Sequence, residues 1–422
     1  MSQNKPYYLP LHLRPALEAS LTCTAYRLLM VVEQEATRTG TALYLVGGPV
    51  RDLILSRRSK DLDLVVEGNA SELALKVAPQ MAGAITVFSK FGTATIKVGR
   101  TRLDLVTARS ETYSQPGALP RVKPSTIHED LNRRDFTINS IAIGLSKSSF
   151  GQLLDPTGGI NDLKLGHIRA LHPQSFRDDA TRMLRAIRYE QRLSFHIEPK
   201  TLRCIGKSLE ENMLSTISPD RLRNEVDLML REDHPVKTLL RAGELGVLSG
   251  IFKPLTTAHW ISRLSQYDKN YGLLSYLAAL TYPLSAEEGE TFIARINMVK
   301  RWAKAVRDIN YLKQIEQSLA HPDLSDPSLF QLLNGRSNSS AAALASLTQN
   351  TLVRDRLVKY LGHLRYVKPL LQGKDLLAIG VPQGPKVGQI LQKLRTARLE
   401  KRIKTRKEET QLARRHLRSA EN

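Results

Sequence analysis

A short apolar run, Leu43-Tyr44-Leu45-Val46, stops at Gly47-Gly48 and is followed, nine residues after Asp52, by Asp61-Leu62-Asp63. This feature constrains the chain more than any other. The run has the length of a buried strand, the glycines break it, and the period then becomes helical through 50–55 before a second strand over 62–66. A helix over 20–37 precedes the run. A helix from Ser71 to about Ala78 and strands over 84–88, 93–98 and 102–106 follow it, so the first 110 residues read as a small α/β unit. Side chains alternate along a strand, which puts Asp61 and Asp63 on one face. Two carboxylates that close repel unless a cation lies between them, and Mg²⁺, a hard ion that prefers oxygen, is the natural one. A diglycine turn ahead of a helix lets backbone N–H groups approach a phosphate with no Cβ in the way, and Arg51 adds a charged donor. Gly47, Gly48 and Arg51 are therefore the expected triphosphate cradle, and Asp61 and Asp63 the expected catalytic metal ligands.

Beyond about residue 170 the strand signal fades, and 181–192, 220–231 and 341–347 read as helices. Pro199, Pro219, Pro235 and Pro254 punctuate this half, and 321–328 reads as a loop with two prolines. The 422 residues are enough for two or three domains, and 41% hydrophobic content supplies real cores. A formal charge of +21 favours a polyanionic partner, because each phosphate neutralised by Lys or Arg releases counterions. The final stretch, 393–418, is dense in Lys and Arg, and both a solvated basic helix and an RNA-contacting tail fit it. Only Cys23 and Cys204 are present, which excludes a disulfide framework or a cysteine-built zinc site. His167, His172 and His196 lie apart, which argues against a histidine-built metal centre. No apolar run approaches the ~18 residues of a membrane span, and the first fifteen residues do not resemble a secretory signal, so a soluble, cytoplasmic protein is expected.

Three further motifs extend the pattern: Arg133-Arg134-Asp135-Phe136-Thr137-Ile138-Asn139-Ser140, Asp155-Pro156-Thr157-Gly158-Gly159-Ile160-Asn161-Asp162-Leu163, and Asp178-Asp179-Ala180-Thr181-Arg182-Met183-Leu184-Arg185-Ala186-Ile187-Arg188. With the first motif they resemble, in order and combination, the polymerase-beta-like nucleotidyltransferase superfamily, and within it the class II (bacterial-type) tRNA nucleotidyltransferases and poly(A) polymerases. A C-terminal echo in Gly373-Lys374-Asp375-Leu376-Leu377 and Gly384-Pro385-Lys386-Val387-Gly388 carries the resemblance over nearly the whole chain. It implies an α+β protein: a nucleotidyltransferase head over 1–165, a mostly α-helical neck over 166–235 that selects the nucleotide, and a helical body and tail over 236–422 that bind tRNA. It also implies a mobile loop between Asp104 and Arg133, where Glu111 to Pro120 carries two prolines and a glycine.

The activity so implied is template-independent addition of CMP and AMP, from CTP and ATP, to the tRNA 3′ acceptor end with Mg²⁺. Addition of CC only or of A only, with a companion nucleotidyltransferase completing the tail, and poly(A) synthesis share this chemistry. A noncatalytic RNA-binding protein is the reading from a different class, and intact motif residues argue against it. Asp178, Asp179 and Arg182 fall within about one helical turn, so a carboxylate that accepts and a guanidinium that donates can face one Watson–Crick edge. Such a pair suits cytosine and adenine, which offer an amino donor, and not guanine or uracil on that edge. Arg185 and Arg188 are expected at nucleotide or phosphate, Arg133 and Arg134 near the triphosphate with the reaching one of the two left open, and Asp135 and Asn139 as hydrogen-bonding supports. Asp104 is either a third catalytic carboxylate or a structural one. Two departures bear on base choice: Asp178 stands where the family more often has glutamate, one methylene longer, and Ala180 where proline is frequent.

Overall fold

The computed structural model describes residues 13–57, 61–89, 92–256, 259–266 and 272–418, with backbone alone for 61, 86–89, 259, 265, 266 and 418. The chain divides into two compact units, Met1–Glu225 and Val226–Asn422.

The first unit is built on a mixed sheet. Its strands are β1 (Ala42–Val46), β2 (Asp61–Glu67), β3 (Ala84–Ser89), β4 (Thr93–Val98) and β5 (Thr101–Thr107). A hairpin of β6 (Arg109–Thr112) and β7 (Arg121–Pro124) follows, then β8 (Ala142–Gly144) and β9 (Leu153–Leu154). The seven-stranded order is β3-β4-β5-β2-β1-β8-β9, with β2 and β5 parallel and the other neighbours antiparallel. Alternation sorts the faces. Leu43, Leu45, Leu62, Leu64, Leu103 and Leu105 are buried at 3% exposure or less, under the helices Cys23–Arg38 and Ala70–Val77 with their fully buried Leu28, Leu29, Val32 and Ala74. On the opposite face Val46, Val65 and Ala142 pack with Ile127 and Leu131 of the helix Ile127–Asn132. That helix covers only part of the face, and Asp63 stands on the remainder, in register with Asp104 of β5.

The predicted strands and helices of this unit are found with ends displaced by at most three residues, the largest shift being the helix expected from 20 that starts at Cys23, but the stretch from Glu111 to Pro120 is not wholly a loop. Glu111 and Thr112 belong to β6, paired with Val122 and Arg121. Pro199, Pro219 and Pro235 each open a helix, Pro199–Glu210, Pro219–Leu230 and Pro235–Glu244, at the one helical position where a missing N–H costs nothing.

The second unit is helical. Leu273–Thr281, Lys300–Gln314, Asn338–Leu347 and Thr351–Gly362 pack together around Leu277, Ile309, Leu344 and Leu357, all fully buried. A smaller core closes the chain around Leu376, Leu394 and Ala413. The basic stretch 393–418 forms parts of two helices, Pro385–Leu399 and Arg406–Arg418, and not one. The break is local: Lys401, at φ +57°, ends the first helix, and Thr405 and Glu408 cap the second reciprocally, the Thr405 N–H donating to Glu408 at 2.9 Å and the Glu408 N–H to the Thr405 hydroxyl at 3.3 Å. Glu409 then fixes where the second helix packs. Its carboxylate is fully buried and accepts the backbone N–H groups of Leu370 and Leu371 at 2.8 Å, with Arg398 Nη1 at 2.9 Å, which pins the second helix back against the smaller core. No helix among the described residues is long and apolar enough to cross a membrane.

Candidate nucleotide-binding site

An open pocket of about 720 Å³ lies in the first unit, and eight arginines and five carboxylates line it. Its size is that of a small-ligand site. Gly47, Gly48, Arg51, Asp63, Arg133, Arg134, Asp179, Arg182 and Arg185 meet there, although 138 residues separate the first from the last.

The diglycine turn works differently from a simple phosphate cradle. Gly47 has φ +70°, a conformation L side chains rarely adopt, and a Cβ there would lie 2.8 Å from Arg134 Nη1. The guanidinium of Arg134 therefore passes directly against the turn. Arg51 is 4% exposed, bonded through Nη1 to Asn139 Oδ1 at 2.8 Å and through Nη2 to Asp52 at 2.8 Å. Asn139 in turn donates to Asp135 at 3.0 Å, and Asp135 accepts Arg185 Nε at 2.8 Å. Asp135 and Asn139 thus hold Arg51 and Arg185 at the pocket wall. Burial opposes the charge of Asp135, yet Arg185 and the bond from Asn139 keep its carboxyl below the ordinary range.

Arg133 and Arg134 share one anchor. Asp130, fully buried, accepts Arg133 Nε at 3.0 Å and Arg134 Nη2 at 2.9 Å. Arg133 also donates to Glu111 at 2.8 Å, and Glu111 takes Arg109 and, at 2.9 Å, the Tyr113 hydroxyl. Of the two arginines, Arg133 is spent on the base of the hairpin and Arg134 faces the glycine turn. Burial pushes the Tyr113 phenol up, with Glu111 adding to it, so Tyr113 stays a proton donor to that carboxylate.

The third motif lies behind this wall. Asp155 accepts the N–H groups of Gly159 and Ile160 at 2.7 and 2.9 Å, opening the helix Gly159–Leu165, and Asp162 takes the Thr137 hydroxyl at 2.6 Å.

The trio expected to read the base, Asp178, Asp179 and Arg182, does not lie on one helical turn. Asp178 ends the short helix Ser175–Asp178, Asp179 is extended at φ −145° and ψ 99°, and the long helix starts at Thr181. Asp179 caps that start, its Oδ1 taking the Thr181 N–H at 3.0 Å and hydroxyl at 2.6 Å, which is why the chain breaks helix there. Its Oδ2 is paired with Arg221 at 2.7 Å. Arg182, 6% exposed, donates to Ser175 Oγ at 2.7 Å and to the Arg133 carbonyl at 2.9 Å, both neutral acceptors. Asp178 is not at the pocket wall and lies 3.6 Å from His172 Nε2. Arg188 is also turned away, into a buried pair with Glu225 at 2.9 Å.

Asp61 opens β2, but its side chain lies outside the described residues. Asp104 is bonded to the Thr95 hydroxyl at 2.5 Å and to Arg102 at 2.9 Å. Among the described residues no cluster of three or more His, Cys, Asp or Glu is spaced to hold a metal.

Six pocket residues went unremarked in the sequence: Arg109, Tyr189, Arg192, Arg221, Asn224 and Glu225. Arg192 and Tyr189 had a readable signal, since Arg185, Tyr189 and Arg192 follow at helical spacings of four and three. Arg109 and Arg221 had none, because distant segments bring them in.

The hairpin tip is docked. Gly117 has φ +73°, and a Cβ on it would lie 2.7 Å from Thr216 Cβ and closer still to the Thr216 hydroxyl. Gly117→Ala should undock the tip, since both the backbone and the neighbour refuse the methyl group. The expected readout is several-fold faster trypsin cleavage at Arg121 with unchanged global melting, and an unaltered cleavage rate would contradict it.

Comparison with known proteins places this geometry. Residues 43–169 match the family described as the poly A polymerase head domain, and 194–259 the probable RNA and SrmB-binding site of polymerase A. An A-adding tRNA nucleotidyltransferase of Halalkalibacterium halodurans is 32% identical over 404 residues, covering 94% of this chain and 93% of the relative. One of Geobacter sulfurreducens is 34% identical over 392 residues, covering 88% of this chain, which spans only 44% of that longer relative. The Thermotoga maritima CCA-adding enzyme, solved in complex with tRNA, superposes with a TM-score of 0.77 at 28% identity over 96% of this chain and 98% of that one.

Proposed function

Because the chain belongs to the family of tRNA nucleotidyltransferases and poly(A) polymerases, we propose that it adds CMP and AMP, from CTP and ATP, to the 3′ end of tRNA, building or repairing CCA. The observation that carries this is one pocket in which a strand carboxylate, Asp63, meets a glycine turn, a wall of anchored arginines and the Asp179–Arg182 pair. The RNA 3′-oxygen bonds to the α-phosphorus, the bond to the β-phosphate oxygen breaks, pyrophosphate leaves, and the 3′-hydroxyl proton is lost to solvent.

Asp63 and Asp61, two oxygen donors two residues apart on one strand, fit a hard divalent ion, and Mg²⁺ there supplies charge stabilisation for the attacking and leaving oxygens. Everything else is positioning. Arg51 and Arg134, beside the Gly47-Gly48 turn, take the phosphates. Asp130 and Asp135 hold those arginines and their neighbours in place. Asp179 offers an acceptor and Arg182 a donor to the edge of the base. Asp178 and Arg188 would then act from behind the wall, through His172 and Glu225. The charge of the helical half, with the whole chain at +21, supports a grip on the acceptor arm through phosphates.

A second reading, addition of the terminal A alone with a companion enzyme supplying CC, is favoured by the relative that matches nearly end to end and is A-adding. Labelled CTP and ATP, separately and together with Mg²⁺, on transcripts ending before CCA, after C and after CC decide between them. Extension of all three supports the complete activity, and ATP incorporation confined to the CC end supports the second reading. No incorporation on any end would overturn both.

A further inference from the structure

Three guanidinium groups crowd one aromatic ring at the pocket wall. The Cζ atoms of Arg51, Arg185 and Arg192 lie 5.3, 5.5 and 5.8 Å from the centroid of Tyr189. Phe136 meets the same ring edge-on, with centroids 5.8 Å apart and planes at 86°, which fixes its orientation. The Tyr189 hydroxyl accepts Arg185 Nη2 at 2.9 Å. Arg185, Tyr189 and Arg192 form one stripe on the helix Thr181–Leu193, spaced four and three apart, while Arg188 between them turns away to Glu225. All four residues of the cluster line the pocket.

Arg51 is balanced by Asp52 and Arg185 by Asp135, and both are held within the wall. Arg192 is exposed at the end of the stripe. Extending two fixed guanidinium groups by a third, reachable one suits a ligand with several adjacent negative charges.

We propose that Arg192, seated on Tyr189, is a further phosphate-binding residue that extends the Arg51–Arg185 wall to the polyphosphate end of the incoming nucleotide and to the pyrophosphate that leaves. Tyr189 is the positioning residue for it. The ligand is the polyphosphate tail and not a phosphodiester of the RNA, because Arg51 in the same cluster stands in the helix Gly48–Ile54 that the glycine turn opens, and lines the same pocket as that turn. This rests on the reading of the pocket as a nucleoside triphosphate site.

The test is calorimetry with inorganic pyrophosphate and with ATP in Mg²⁺ and without RNA, beside tRNA affinity and steady-state kinetics, on wild type, Arg192→Gln, Tyr189→Phe and Tyr189→Leu. Arg192→Gln should weaken pyrophosphate about tenfold, the size of one lost charge-assisted contact, and raise KM for ATP with tRNA affinity unchanged. Tyr189→Phe should keep most of the binding, because the ring remains. Tyr189→Leu should lose as much as Arg192→Gln although Arg192 is still present. Unchanged pyrophosphate affinity in Arg192→Gln, or a loss confined to tRNA, would overturn the proposal, as would failure of the wild-type protein to bind pyrophosphate. Calorimetry needs no turnover, so a protein that extends no tRNA end yet binds pyrophosphate through Arg192 would refute the activity and leave this seat standing.

Discussion

Asp63→Asn should lower nucleotide incorporation by on the order of 10³-fold, the scale on which one charge-stabilising group acts in phosphoryl transfer. The side chain stands on β2 at the pocket wall, on the part of the sheet face that the helix Ile127–Asn132 leaves uncovered. Amide for carboxylate keeps the shape and removes the charge that would draw a divalent ion. Folding should be unharmed, because the amide keeps the size and shape of the carboxylate. Added Mg²⁺ should raise the melting temperature of the wild type, because an ion that binds only the folded chain stabilises it by mass action, and should not raise that of the variant. Chelation should abolish wild-type incorporation and readdition restore it. Incorporation by Asp63→Asn within tenfold of wild type would remove Asp63 from the chemistry.

The second large effect is on stability. Asp130→Ala should cost about 3 kcal/mol, the lower part of the range for breaking a buried ion pair, because the arginines it releases are each 18% exposed and regain some hydration. Burial raises the carboxyl's pKa, but Arg134 and Arg133 together outweigh it and hold the group below its usual value of 3.8. A carboxylate depressed in the folded state contributes stability that is present above the unfolded pKa and lost as pH falls through the folded one. The urea midpoint gap between wild type and variant should therefore hold from neutral pH down to about pH 4 and close only in stronger acid. A gap under 1 kcal/mol at pH 7, or one that closes between pH 7 and 5, would contradict this account. Pocket function should fall with it, since Arg133 and Arg134 lose their common anchor.

Much of the first unit was legible because its signals are local. Alternating Leu62, Leu64 and Val66 against Asp61, Asp63 and Val65 states which side of β2 is core, and Gly47 announces a turn whatever surrounds it. Local rules also misled in two places. Counting Asp178 to Arg182 as one helical turn presumes a helix through Asp179, whereas the capping bonds of Asp179 to Thr181 start the helix later and send Asp178 toward His172. Reading 393–418 as one basic helix overlooks the reciprocal cap of Thr405 and Glu408, which starts a second helix, and Glu409, whose partners Leu370 and Leu371 almost forty residues away set where that helix packs.

The amino-acid sequence by itself determined the alternation of the head, the strand carrying Asp61 and Asp63, and the set of arginines and acids available to a phosphate-binding site, because those follow from side-chain period and residue chemistry. Only the tertiary structure decided which arginine does what. Arg134 lies on Gly47 and Arg133 on Glu111, Arg185 meets Asp135 and Arg188 meets Glu225, and Tyr189 gathers Arg51 from 138 residues earlier in the chain. A guanidinium sits on a long flexible stem, so its place is set by whichever carboxylate or ring folding brings within reach, and that is a property of packed elements and not of any one segment.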